Sequence, residues 1–288
     1  LPLIAVNHLE GHAVSARLGA ETTYPFLLLL VSGGHCQLLE VRGIGDMSRL
    51  GTTIDDAAGE AFDKIAKAMG LGYPGGPALE KLAASGDGSR FDLPRALLGR
   101  KDCDFSFSGL KTAASRLAQT CKTEQDRADL ADAVQKAIAR QLAERTERAM
   151  KAYAEAHPEL ADGVLKQPSA AREAIGPQED ALKQPSPEGE AIGQKERLFV
   201  VAGGVAANRT IRRTLEDLAT KHGFAFLAPP MAYCTDNAAM IALAGAERLE
   251  KGLVSDIDVA ARPRWPLDET RASVDPVHKK TGRKGAKA

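Results

Sequence analysis

Cysteine is scarce. Cys36, Cys103, Cys121 and Cys234 are the only four in 288 residues, and no two of them form a CxxC pair. That pattern excludes a disulfide-dense secreted scaffold and makes a reduced, cytoplasmic setting the plain reading. Long apolar runs are also missing. The longest, Pro25 to Val31, is far too short to cross a bilayer, so no membrane association is expected. Net charge is absent as well: Lys+Arg and Asp+Glu both total 38, so any nucleic-acid surface has to be a local patch. Neither a Walker A sequence nor GxGxxG occurs, which argues against P-loop and dinucleotide-binding folds. What remains, 44% hydrophobic and 26% charged, is an ordinary globular composition for one large or two smaller domains. No signal peptide is visible. The chain starts at Leu1 and runs straight into an apolar segment, so it is expected to be a piece of a longer protein.

Apolar runs and helical periodicity alternate along the chain, which predicts an α/β fold. Leu3–Val6 reads as a strand feeding a helix, Phe26–Val31 as a buried strand, and Cys36–Val41 as its hairpin partner. Thr53–Met69 is predicted helical, with Ala57, Ala58, Ala61, Phe62, Ile65 and Met69 as its apolar stripe. It stops in the dense glycine and proline segment from Gly70 to Pro77. A short strand opening a helix is expected at Phe105 to Lys111, then a long helix over Arg127–Ala156. Leu198–Ala202 reads as a second buried strand, followed by helices over Asn208–His222 and Asp236–Leu249. Residues 158–196 break the rhythm. Leu165 to Ser169 recurs as Leu182 to Ser186, and Glu173 to Gly176 as Glu190 to Gly193. Two polar copies cannot make a repeat core, so a disordered duplicated insert is expected there.

His8 and His12 are four residues apart, on one helical face, so both imidazoles reach the same ion. The spacing also fits a plain structural pair. In the zinc-protease motif the acid directly follows the first histidine. Here Glu10 lies about 200° around the helix from both, so it is expected to point away from the ion as a solvated acid. Two buried strands end in glycine pairs, Gly33-Gly34 and Gly203-Gly204. Glycine lets backbone amides approach an anion, so Val31–His35 and Gly203–Asn208 suit two walls of a nucleotide cleft; each also fits a mere tight turn. Asp63 is by default a solvated acid and alternatively a partner for ribose hydroxyls. Asp236 is by default an N-cap and alternatively the carboxylate that joins the two histidines. Lys111 reads as an exposed lysine at a helix start.

Taken together, seven motifs resemble one family, the universal tRNA threonylcarbamoyladenosine synthesis proteins, called TsaD in bacteria and once labelled glycoproteases. They are Asn7 to His12, Val31 to His35, Asp55 to Lys64, Tyr73 to Pro77, Phe107 to Lys111, Gly203 to Asn208 and Cys234 to Asn237, in family order over about residues 1 to 266. The resemblance implies a two-lobed actin/Hsp70/sugar-kinase-like ATPase fold, truncated at the amino terminus. Residues 1–25 would be a remnant of the amino-terminal lobe and 26–235 the carboxy-terminal lobe. Residues 236–268 would form a closing helix and return segment, and 269–288 a basic flexible tail. It implies transfer of a threonylcarbamoyl group from threonylcarbamoyl adenylate to the exocyclic amine of the adenosine 3′ to the anticodon, in tRNAs reading codons that begin with A.

His8, His12 and Asp236 would hold one divalent metal, iron(II) or zinc. Val31, Ser32, Gly33, Gly34 and His35 would contact the substrate, Asp63 and Gly76 its nucleoside, and Asn208 the nucleotide from the opposite wall. Glu80 stands where the family often has aspartate, and Cys36 where it usually has threonine. Partners implied are tRNA, a paralogous scaffold subunit (TsaB) and a small ATPase (TsaE). The family's opening glycine/threonine-rich phosphate segment is absent, so full activity is not expected of this chain alone. Two rival readings remain, a metal-dependent glycoprotein endopeptidase and a non-catalytic scaffold paralogue. The basic run Lys279, Lys280, Arg283, Lys284 and Lys287 suits either phosphate contact or a solvated end.

Overall fold

The computed structural model describes residues 1–20, 22–160, 196–263 and 265–274. The two duplicated copies and the basic run near the carboxyl end lie outside the described residues. One five-stranded sheet organises the rest. Its strands are β1 (Phe26–Val31), β2 (Cys36–Gly43), β3 (Asp46–Thr52), β4 (Leu198–Ala202) and β5 (Ala225–Leu227), in the order β3-β2-β1-β4-β5. β1 pairs antiparallel with β2 and parallel with β4, β2 pairs antiparallel with β3, and β4 pairs parallel with β5. All six residues of β1 are buried, and so are all five of β4. Their unbroken apolar sequences follow from that position, since central strands are covered on both faces.

The two faces take different helices. Leu27, Leu29, Val31, Phe199 and Val201 join the larger core with α2 (Ala58–Ala68), α3 (Gly75–Ala83), α4 (Ser108–Ala118), α5 (Glu124–Ala156) and α6 (Arg209–Lys221). Phe26, Leu28, Leu30, Leu198, Val200 and Ala202 face the other way, onto Leu9 and Ala13 of α1 (His8–Val14) and Ala16 of the 3-10 turn behind it. α7 (Ala238–Glu250) packs on the outside of α1. Each fully buried leucine contributes ~1.5–3 kcal/mol, so β1 alone anchors both layers.

Caps written in the sequence fix where helices begin. Asn7, Thr123, Asn208 and Asn237 cap α1, α5, α6 and α7, and Thr123 and Asp126 close a reciprocal capping box. Several boundaries differ from the sequence-based expectation. Leu3–Val6 is no strand: only Leu3 bridges, to Ser255, because no neighbouring strand is there to extend the ladder. Likewise Phe105 makes an isolated bridge with Thr53. That bridge holds Thr53 and Ile54 extended, so α2 starts at Ala58 and not Thr53. Asp236 does not cap α7; Asn237 does, through its bond from the Met240 amide. α3, β3 and β5 are short elements with no strong periodicity, and a six-residue helix, α8 (Glu269–Val274), occupies the start of the expected tail.

From β1 the chain turns to β2 on one side, and from β4 it reaches β5 on the other. The gap between the carboxyl ends of β1 and β4 is therefore a topological switch point, where open α/β sheets bind ligands. Both strands end there in their glycine pairs.

Candidate metal centre and substrate crevice

Three side chains converge beside that switch point. Asp236 Oδ1 lies 2.9 Å from His12 Nε2 and 3.3 Å from His8 Nε2, and the two imidazoles meet edge to face with centroids 4.9 Å apart. Ligand atoms around one cation, with metal–nitrogen and metal–oxygen bonds of about 2.0–2.2 Å, sit roughly 3 Å from each other, so the donor set fits a metal. Burial holds the His12 pKa below its ordinary value, against the raising effect of the Asp236 hydrogen bond. A lowered pKa favours the neutral form, the one that ligates a metal. His12 Nδ1 is buried without a hydrogen-bond partner. His8 and Asp236 are exposed, with side chains 53% and 75% accessible, so the cluster opens outward and leaves room for substrate atoms.

The other predicted residues can be followed from this cluster contact by contact. Ser32 amide donates to the His35 carbonyl at 2.8 Å and the His35 amide to Ser32 Oγ at 3.2 Å, closing a tight loop whose tip is Gly33 and Gly34. Nothing lies within 4 Å of where a Cβ on either glycine would stand. The His35 pKa is lowered by burial, then by the charge of nearby His8 and His12, which places this ring beside the metal cluster. Below the loop, Gly59 of α2 packs so closely that a Cβ would be 2.6 Å from the Ser32 carbonyl. Along α2, Asp63 Oδ1 accepts from the Gly75 amide at 2.8 Å, tying down the start of α3 after the cis Tyr73–Pro74 bond. Gly76 borders open space. Glu80 accepts from the Arg209 amide at 2.8 Å, which carries the rim over to α6. Gly203, at φ +96°, returns to Val31, and a Cβ on Gly204 would stand 3.9 Å from the methyl of Thr235, the residue before Asp236.

Some residues stand otherwise than expected. Glu10 does face away from the histidines, but it is buried, not solvated: it accepts from the Gly45 amide at 2.7 Å and pairs with Arg248 at 2.9 Å. Lys111 is no free exposed lysine; its Nζ is 2.6 Å from Asp56 Oδ2, with Lys64 2.7 Å from Oδ1. Burial pushes the Asp56 carboxyl up, but hydrogen bonds from the two lysines outweigh it and hold it below its ordinary value. Asn208 is buried, its Oδ1 capping α6 and its Nδ2 donating to Gln135 at 2.8 Å, so both polar atoms are already engaged. Sequence reasoning gave no role to Gln135, or to Asp55, which accepts from the Phe107 amide at 2.8 Å and from Ser108 Oγ at 2.8 Å, fixing α4. The only hint was that Asp55 and Ser108 each fall inside a family motif.

The sheet order, with β2 antiparallel to its neighbours and helices on both faces, is that of a lobe of the actin/Hsp70/sugar-kinase-like class. The family model for TsaD, tRNA N6-adenosine threonylcarbamoyltransferase, matches residues 1–243, and the chain belongs to that family. Over its whole length it is 62% identical to the tRNA N6-adenosine threonylcarbamoyltransferase of Caulobacter vibrioides, spanning 68% of that protein. The same-named proteins of Maricaulis maris and Sinorhizobium medicae are 51% and 50% identical over the full chain, which spans 68% and 70% of them. Among solved structures, the activator of 2-hydroxyisocaproyl-CoA dehydratase from Clostridium difficile with bound ADPNP shares 15% identity. That match covers 88% of this chain and 72% of the activator, with a TM-score of 0.38.

Proposed function

We propose that this chain carries the metal and substrate site of a tRNA N6-adenosine threonylcarbamoyltransferase, with His8, His12 and Asp236 holding one divalent cation, iron(II) or zinc. The observation that carries this reading is the single Asp236 oxygen within 3.3 Å of both imidazoles, from a residue far along the chain. When bound, the cation would supply positive charge for the oxygens of the adenylate. The chain's own groups do the rest. The free tip of Ser32–His35 offers backbone amides to phosphate or carbamoyl oxygens, and Asp63 and Gly76 border the nucleoside. Val31 is buried and contributes backbone only. Because AMP is already a good leaving group, holding the carbamoyl carbon toward the adenosine N6 amine is the main task, a matter of positioning more than proton transfer. Asn208 would border the nucleotide from the amino end of α6 that it caps, its side chain and carbonyl being engaged by Gln135, Ile211 and Arg212.

Family membership supports tRNA as the substrate, and threonylcarbamoyl adenylate as the donor rests on the resemblance. TsaB and TsaE as partners, and a cytoplasmic setting, rest on the same resemblance. No helix among the described residues is long and apolar enough to cross a membrane. The endopeptidase reading loses its base, since the Glu10 carboxylate is committed to Gly45 and Arg248 on the far side of α1.

The test uses metal content of the purified chain, and transfer from purified adenylate to tRNA in the chain extended to its relatives' length. His8→Ala and Asp236→Asn are expected to lose the metal and to cut transfer at least 100-fold. A His8→Ala protein with full transfer sinks the proposal.

A further inference from the structure

The glutamate of the His8-Leu9-Glu10-Gly11-His12 segment has no part in the site described so far, yet it is among the most buried carboxylates of the chain, with its side chain 3% exposed. Burying a charge is costly unless it is paired and hydrogen-bonded, so its partners matter. One oxygen accepts from the Gly45 amide at the β2–β3 turn, and the other pairs with Arg248, whose own side chain is 14% exposed. Arg248 stands near the carboxyl end of α7, while Asp236 immediately precedes the same helix. Between these two points α1 and α7 cross closely. A Cβ on Gly11 would be 2.9 Å from Ile241 Cδ1 and 3.3 Å from Met240 Cγ, and one on Gly245 would be 3.6 Å from Val6. The arrangement has two ends and a pivot. On one face of α1 the imidazoles meet Asp236; on the opposite face Glu10 meets Arg248; Gly11 lies at the crossing.

The seven-residue helix α1 rests on the sheet through Leu9 and Ala13 and crosses α7 at Gly11, so the polar contacts on the face opposite the histidines bear on its rotation about its own axis. A turn of roughly 30° at a helix radius near 6 Å for side-chain atoms moves them by about 3 Å, enough to part a ligand from its cation. We propose that Glu10 is a positioning residue: its ion pair with Arg248 and its bond from Gly45 fix the rotation of α1 about the Gly11 crossing, keeping both imidazoles turned to Asp236. Further contacts reinforce the same end. Asn7, the cap of α1, donates to the Trp265 carbonyl at 2.7 Å, and Arg248 lies 5.7 Å from the Trp265 ring centroid. This inference rests on the metal-site reading above. It differs from a general packing role, which the neighbouring Arg17–Glu247 and Tyr24–Glu247 bonds at 2.8 and 2.7 Å fill for the 3-10 turn after α1.

The experiment titrates cobalt(II) alone into the wild-type chain and its Glu10→Ala, Glu10→Gln and Glu247→Ala variants, reading affinity, the visible cobalt spectrum and thermal stability. Changes to groups that orient metal ligands weaken binding by about 10–100-fold. Glu10→Ala is expected to fall in that range with an altered spectrum. Glu10→Gln keeps an acceptor for Gly45 while losing the charge opposite Arg248, so it is expected to fold and to lose affinity by an intermediate factor. Glu247→Ala is expected to lower stability while leaving cobalt affinity and spectrum at wild-type values. Wild-type affinity and spectrum in Glu10→Gln overturn the proposal, and so does an equal loss of affinity in Glu247→Ala. A wild-type chain that binds no cobalt overturns the metal-site reading and this inference with it; binding retained in wild type and in every variant overturns this inference alone.

Discussion

At the scale of single residues, the candidate site mixes exposure and burial in a way that assigns tasks. Asp236 is three-quarters exposed, whereas the His12 it meets is 2% exposed. In the proposed metal site the buried imidazole would set the position and the exposed carboxylate would complete the shell. His35 adds a titratable group at the same place, its pKa lowered by burial and by the charge of His8 and His12. For a group whose folded pKa lies below the unfolded one, stability is full above the unfolded pKa, here 6.5, and declines as pH falls toward the folded value. The metal-free chain is therefore expected to lose thermal stability as pH drops below about 6.5, and His35→Asn to lose less over the same interval. Melting curves between pH 7.5 and 5.5 check this. Parallel curves for the two proteins would mean that His35 titrates alike folded and unfolded.

At the scale of elements, the crevice depends on turns that only glycine permits. Gly203 has φ +96°, and a Cβ there would be 2.3 Å from the Val31 carbonyl, inside the joint between β1 and β4. Gly204, one residue on, has only the Thr235 methyl at 3.9 Å. Gly203→Ala is expected to cost at least about 2 kcal/mol, from the strained backbone and the clash together, while Gly204→Ala stays within about 0.5 kcal/mol. Urea unfolding of the pair decides it, and equal midpoints would show that the joint yields. Elements with continuous apolar runs or a full 3.6-residue stripe were legible in the sequence: β1, β4, α5 and the apolar face of α2. Those lost were set by partners the sequence does not display. Leu3–Val6 has a strand's composition but only Ser255 to bridge, and α2 starts late because Thr53 and Ile54 are drawn into bonds with Cys36 and Phe105. Spacing showed that Glu10 turns away from His8 and His12. Its burial was not legible, since Arg248 arrives from the other end of the chain.

At the scale of the whole molecule, the candidate metal cluster joins segments 224 residues apart, His12 on the inner helix layer and Asp236 just before the start of the outer one. No periodicity connects such residues; here the resemblance supplied the link, and the geometry brings them within hydrogen-bonding distance. A cation bound there would tie α1 to α7 across the fold and would favour the folded chain by mass action. At a free concentration of 100 times the dissociation constant the gain is ~2.7 kcal/mol, a rise of several degrees in Tm for a protein of this size. The unfolded chain keeps His8 and His12 as near neighbours and so retains weak metal affinity, which trims the gain without abolishing it. Asp236 is the part of the shell that only folding delivers. Tm is therefore expected to climb with the logarithm of zinc or cobalt concentration in the wild-type chain, and Asp236→Asn to flatten that climb while leaving the metal-free Tm nearly unchanged, because the lost carboxylate is three-quarters exposed. Scanning calorimetry across a metal series measures both. A climb of equal slope in the variant would show that the histidine pair alone binds the ion, with the distant carboxylate contributing nothing to the staple.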